Sequence, residues 1–164
     1  MSFLDSAEDP KMAARRPLYF FLVATLGTGA LASLITAPQI PAWYAALNKP
    51  SFTPPNWLFA PVWTGLYILM AFAAWRAWKR CGLKSAAMLL FALQLALNFA
   101  WTGLFFGLHQ IGAALAEIAV LDLAILTTVL LFFRQDRLAG LILLPYLAWT
   151  LFASALTQAI WRLN

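Results

Sequence analysis

Two carboxylates stand inside an otherwise apolar run, Glu117 and Asp122 between Ile111 and Phe133. Acids at membrane depth are costly, and they usually face a protein interior or line a proton or ion path. Five residues apart, they lie about 140° apart around a helix, so they do not form the paired carboxylates of an acid–base site. Asn98 is a second polar residue in an apolar stretch, with Gln94 one turn before it and Trp101 nearly one turn after. A buried amide has to find partners in protein or in a cavity. Trp63 and Tyr67 are four residues apart, and Tyr146, Trp149 and Ala153 share a helix face by similar spacing. The indole N–H groups and the amide can converge on a flat aromatic ligand. Ordinary interhelical packing with polar side chains as glue explains the same spacing, and the spacing alone leaves both readings open.

Several chemistries find no support. The lone histidine, His109, stands beside a turn, and acids on one helix plus one loop histidine are not a metal coordination sphere. The lone Cys81 has no intrachain partner for a disulfide, and no CxxC array occurs. No nucleophile–base pair or glycine-rich phosphate loop is evident. The net charge of +5 comes from basic residues clustered at the ends of apolar runs, which reads as a topology signal and not as a nucleic-acid surface.

The elements that must position these residues are membrane spans. The chain is 63% hydrophobic and 10% charged, where a soluble domain carries about a quarter charged residues. About 20 apolar residues cross the hydrocarbon core. Five such segments are expected, at about 17–37, 55–78, 84–108, 111–133 and 138–161, giving an all-α five-transmembrane-helix bundle in a single domain over 1–164. The first run follows basic residues and contains Ala30-Leu31-Ala32, a loose signal-cleavage pattern. It is longer than a signal core and is read as helix one. Basic residues fall nine to two: Lys11, Arg15, Arg16, Arg76, Lys79, Arg80, Lys84, Arg134 and Arg137 against Lys49 and Arg162. That bias places the N-terminus inside and the C-terminus outside.

The one long connection, 38–54, reads PQIPAWYAALNKPSFTP. Its prolines argue against a long continuous helix, with room for about two helical turns between Pro41 and Asn48. Trp43 and Tyr44 fit an interfacial anchor or a lid over a cavity in the bundle. Pro61 and Pro145 each remove a hydrogen bond inside a span and predict a kink or wide spot beside Trp63 and Trp149. On helix three, Ala92, Ala96, Ala100, Gly103 and Gly107 step at three- and four-residue intervals, which admits close approach of another helix, in the bundle or in a second subunit.

Three stretches carry a family resemblance. Trp43-Tyr44 through Leu47, Lys49-Pro50, Pro54-Pro55, Trp57, Phe59 and Pro61-Val62-Trp63-Thr64 to Tyr67 form the first; QLALNFAWTGLFFG (94–107) and LPYLAWTLFASAL (144–156) are the others. Together, over about 17–162, the chain resembles the TspO/MBR family of tryptophan-rich sensory and translocator proteins, also called peripheral-type benzodiazepine receptors. The resemblance implies a five-helix bundle, often dimeric, with a pocket under the first long loop that binds porphyrins, haem or synthetic benzodiazepine-site ligands. It places pocket tryptophans at Trp63 and Trp149, the pocket asparagine at Asn98, loop aromatics at Trp43 and Tyr44, a small residue at Ala153 and the helix-four acid at Glu117. Asp122 matches no family role. Gln158 stands where animal members carry the tyrosine of a cholesterol motif, so cholesterol recognition is not carried over, and a bacterial member in the cell membrane is expected.

The leading expectation is a membrane tetrapyrrole-binding sensor, regulator or transporter, with ligand contacts at Trp43, Tyr44, Trp63, Asn98, Trp101, Tyr146, Trp149 and Ala153. The alternatives are a light-dependent porphyrin-degrading enzyme, with Trp63 and Trp149 as candidate redox neighbours, and a small-molecule or lipid carrier. No obligatory cofactor, metal or nucleic acid is expected. The expected partners are a tetrapyrrole or another apolar aromatic molecule, the lipid bilayer, and a second copy packed through helix three.

Overall fold

A computed structural model describes residues 10–164, with side chains from Arg16 onward; residues 1–9 of the expected domain, and the Lys11 and Arg15 side chains counted in the basic bias, lie outside the described residues. Five helices account for most of the chain: α1 (Pro10–Gln39), α2 (Asn56–Cys81), α3 (Ala86–Thr102), α4 (Ile111–Gln135) and α5 (Arg137–Leu163). All five are long and apolar enough to cross a membrane, α1 and α3 with the turns that extend them. The chain is therefore a five-helix membrane bundle, as the apolar runs require.

The helices close into a ring in the order α1, α2, α5, α4, α3, with α2 reaching each of the other four. Such a position demands a thin helix. Ala71, Ala73, Ala74 and Ala77 of α2 are fully buried, because small side chains let backbones approach where lipid supplies no hydrophobic drive. The end of the bundle where α1, α3 and α5 begin, called lower here, is solid: Phe21, Met70, Phe91, Phe132 and Leu143 are in one buried cluster. Phe91 stacks on Phe132 at 5.9 Å.

The lower turns are tight and capped. Ser85 caps α3 by accepting from the Met88 amide, 3.3 Å. Asp136, the single residue between α4 and α5, caps α5 by accepting from the Leu138 and Ala139 amides, 2.9 and 3.1 Å. Arg76 of α2 forks onto the same carboxylate, with its closest contact at 2.9 Å. Burial pushes the Asp136 carboxyl upward, but the bonds from Arg76, Ala139 and Leu138 and the guanidinium charge outweigh it and hold the group below the usual carboxylate range.

At the upper end the structure departs from the expected loop. Helix α1 does not stop before Pro38; it runs to Gln39 and passes into a π-helical turn, Ile40–Tyr44. Pro41 sits in the first positions of that turn; in a segment continuous with α1 it forgoes one backbone hydrogen bond, and the wider π-helical turn accommodates the extra residue. The expected short helical piece of the 38–54 connection is thus fused to α1. A second π-helical turn, Gly103–Gly107, ends α3, closed by the Leu108 amide donating to the Gly103 carbonyl, 2.8 Å. Neither Pro61 nor Pro145 interrupts its helix.

Candidate ligand cavity

The upper half of the bundle is hollow. A cavity of about 480 Å³ is bounded by α1, α2, α3, α5 and the two π-helical turns, within the range of small-molecule sites. Trp63 and Tyr67 supply the α2 wall, Asn98 and Trp101 the α3 wall, Trp149 and Ala153 the α5 wall, and Tyr44 with Phe105 and Phe106 the roof. The three residues from three helices, Trp63, Asn98 and Trp149, therefore border one space. So do Tyr44, Trp101 and Ala153.

Two of the expected contact residues sit elsewhere. Tyr146 is fully buried one layer behind the wall, where its ring meets Trp63 edge-on at 6.3 Å. Trp43 lies above the roof. It stacks on His109 at 4.2 Å and 13° and meets Phe105 edge-on at 5.2 Å. His109 in turn bonds Gln39 at 3.0 Å, so Trp43 joins the end of α1 to the α3–α4 turn.

The amide of Asn98 is spoken for. Tyr67 donates its hydroxyl to Asn98 Oδ1 at 2.7 Å, Asn98 Nδ2 donates to the Tyr146 hydroxyl at 3.3 Å, and Tyr146 donates to Gln94 Oε1 at 2.8 Å. This chain of four side chains pairs both polar atoms of Asn98 and the Gln94 carbonyl, leaving Gln94 Nε2 unpartnered, in a low-dielectric setting where unpaired groups are costly. The donors still open are different ones. Trp101 Nε1 and Trp149 Nε1 are buried without a hydrogen-bond partner, and both residues line the cavity. Among the described residues no charged side chain lines it.

The two acids of α4 are outside the cavity wall. Asp122 accepts from the Ser154 hydroxyl at 2.6 Å, and both Glu117 oxygens are buried without a partner. They are interior, as their cost in lipid demands, and neither lines the cavity. Among the described residues no group of three metal-ligating side chains occurs.

Sequence reasoning missed α1. It contributes Leu26, Gly29, Ala30, Ser33 and Ala37 to the cavity, yet this stretch is mostly small and apolar, and its polar members Ser33 and Thr36 bond back to carbonyls of their own helix, so no amide or aromatic side chain singled it out. It also missed the fastening of the connection over the roof. Asn48 and Asn164 exchange hydrogen bonds of 3.0 Å in both directions. Lys49 donates to the carbonyls of Tyr44, Ala45 and Leu47, closest 2.7 Å, and so caps the end of that helical segment. The lysine of the first motif is the one signal that could have marked this.

Fold and site together define a five-helix membrane protein with an aromatic, uncharged cavity in one half of the bundle. The TspO/MBR family model matches residues 20–162. Among characterised proteins, the chain is similar to the tryptophan-rich protein TspO of Archaeoglobus fulgidus, 45% identical over 87% of this chain and 94% of that one. It is similar to protein CrtK of Rhodobacter capsulatus, 41% identical over 90% and 91%, and to the human translocator protein, 40% identical over 74% and 75%. The chain belongs to the TspO/MBR family.

Proposed function

We propose that this protein binds a tetrapyrrole, porphyrin or haem, inside the upper cavity and acts on that signal as a sensor, regulator or transporter in a bacterial cell membrane. The observation that carries the reading is the pairing of a largely aromatic wall with two unpartnered indole donors, Trp101 and Trp149. Flat conjugated rings stack on such walls, and ring or side-chain acceptors take the N–H groups. The relatives include a translocator protein and a tryptophan-rich sensory protein, names in keeping with transport or sensing.

The test is a titration of the protein in lipid nanodiscs with protoporphyrin, in the dark and under illumination, with product analysis. Saturable quenching of tryptophan fluorescence in the dark supports the binding reading. New light-dependent products move the assignment to a porphyrin-degrading enzyme. Absence of saturable binding overturns the proposal. The solid lower half argues against a carrier that works in this conformation, since the cavity is closed below by Met70, Tyr146 and their neighbours.

A further inference from the structure

We infer that the cavity is loaded sideways from the bilayer, through a slit between α1 and α2, and not through its roof. The inference rests on the ligand reading above only for the identity of what passes.

The lining residues divide sharply by exposure. Those from α3 and α5, and the roof residues Tyr44, Phe105 and Phe106, are buried or half-buried. Every exposed lining residue belongs to α1 or α2: Leu26, Ala30, Ser33 and Ala37 on one side, Asn56, Ala60 and Thr64 on the other. The spacing on each helix is three or four residues, so each set is one stripe along one face. The two stripes flank the same opening. Along α2 it extends about 12 Å and along α1 about 16 Å, at 1.5 Å per residue.

Its chemistry suits lipid. All but Leu26 and Asn56 have small side chains, and small residues facing one another across a helix pair ordinarily close the gap. Here they border open space instead. The hydroxyls are turned back onto their own helices: Ser33 donates to the Ala30 carbonyl at 2.7 Å and Thr64 to the Ala60 carbonyl at 2.8 Å. The slit therefore offers an entering ring no competing donor at hydrocarbon depth. Asn56 stands at its upper end, at the first position of α2, where a polar edge of the ligand can stay near the interface while the ring slides in edge-on.

The roof, by contrast, is fastened. Trp43 stacks on His109, Asn48 and Asn164 are doubly bonded, and Lys49 holds three carbonyls. Access from above has to undo these contacts together. Access through the slit undoes none of them.

The test needs no ligand. In a Cys81→Ser background, a reporter thiol is placed in the cavity as Ala153→Cys, and the protein in nanodiscs is treated at alkaline pH with a lipid-soluble or a sulfonated maleimide. Partitioning alone favours the lipid-soluble reagent, so the slit variants decide. Ala60→Phe and Ala30→Phe, one from each side and each checked for a monodisperse folded protein, should slow its reaction at least tenfold. Asn164→Ala, which removes the side-chain amide that both accepts from and donates to the Asn48 backbone and so loosens the roof, should leave both reagents reacting as in the parent. If neither slit variant slows labelling, or if Asn164→Ala speeds the sulfonated reagent, the route lies through the roof and the inference is wrong. A thiol unreactive to both reagents also overturns it, because the cavity is then closed to the bilayer. Failure of porphyrin to bind sinks the ligand reading separately and does not touch these rates.

Discussion

The ring of Tyr67 occupies the space that a side chain at position 29 would need: a β-carbon built on Gly29 stands 2.5 Å from Tyr67 Cε2 and 2.7 Å from Cδ2. The glycine on α1 is what lets the tyrosine of α2 lie in the cavity wall and reach Asn98. One missing methyl group thus sets the position of the hydrogen-bonded chain Tyr67–Asn98–Tyr146–Gln94.

Gly29→Ala is therefore expected to displace Tyr67 and break its bond to Asn98. Overpacking of this kind costs about 1–3 kcal/mol, read as a fall in thermal stability in detergent. Tyr67→Phe in the same background should restore little, since the ring and not the hydroxyl makes the clash. A fully stable Gly29→Ala variant would mean that α1 can shift away from α2.

Asn98→Leu should act mainly on stability. It leaves the Tyr67 hydroxyl without its acceptor and the Tyr146 hydroxyl without its donor, a cost of about 1–3 kcal/mol for stranded buried groups. The check is to compare melting with porphyrin affinity. A variant that melts normally but binds weakly would make the amide a direct ligand contact.

Trp101→Phe and Trp149→Phe remove the two open donors while keeping an aromatic ring at each position. Each is expected to weaken an acceptor-bearing ligand by about 1 kcal/mol, roughly fivefold, and to spare an analogue without acceptors. Equal losses for both ligands would assign the tryptophans to shape alone. Variants that bind but lose light-dependent turnover would make the indoles chemical participants.

Asp136 gives the lower end a pH dependence of known sign. Its folded pKa is lowered, so its stabilisation is fully present above the unfolded value, about 3.9, and is lost as pH falls through the folded value. The melting difference between wild type and Asp136→Asn should hold steady from neutral pH down to about pH 4 and shrink below it. Asp136→Ala also removes the cap of α5, costing about 1 kcal/mol at neutral pH. A difference that grows on acidification would contradict the arrangement.

The outward stripe of α3 predicts a homodimer. Ala92, Ala96, Ala100 and Gly107 are exposed in the single chain, and a β-carbon on Gly103 meets nothing within 4 Å. Ala100→Leu with Gly103→Leu should leave the protomer folded and shift it to monomer in light scattering. A dimer that survives both changes uses another face.

What the sequence by itself determined is the class and the number of spans. Five uncharged or nearly uncharged runs of helical length have one solution in lipid, because every backbone group must be satisfied within the segment. It also marked Trp63, Asn98 and Trp149, since polar and amphipathic side chains at that depth stand out against leucine and alanine. What only the tertiary structure decided is which of those groups remains free. Asn98 looked like an open donor along α3, but its partners, Tyr67 and Tyr146, come from α2 and α5. Of the buried donors left without a partner, those on cavity-lining residues are Trp101 and Trp149. Trp43 and Tyr44 are adjacent in the chain, yet one lies above the roof and the other in it, because a π-helical turn replaced the expected break at Pro38 and Pro41. The slit of α1 left no trace in composition, since small residues read identically whether they close a helix pair or border a gap; the difference lies in the distance between two helices, which is fixed by contacts remote from both stripes.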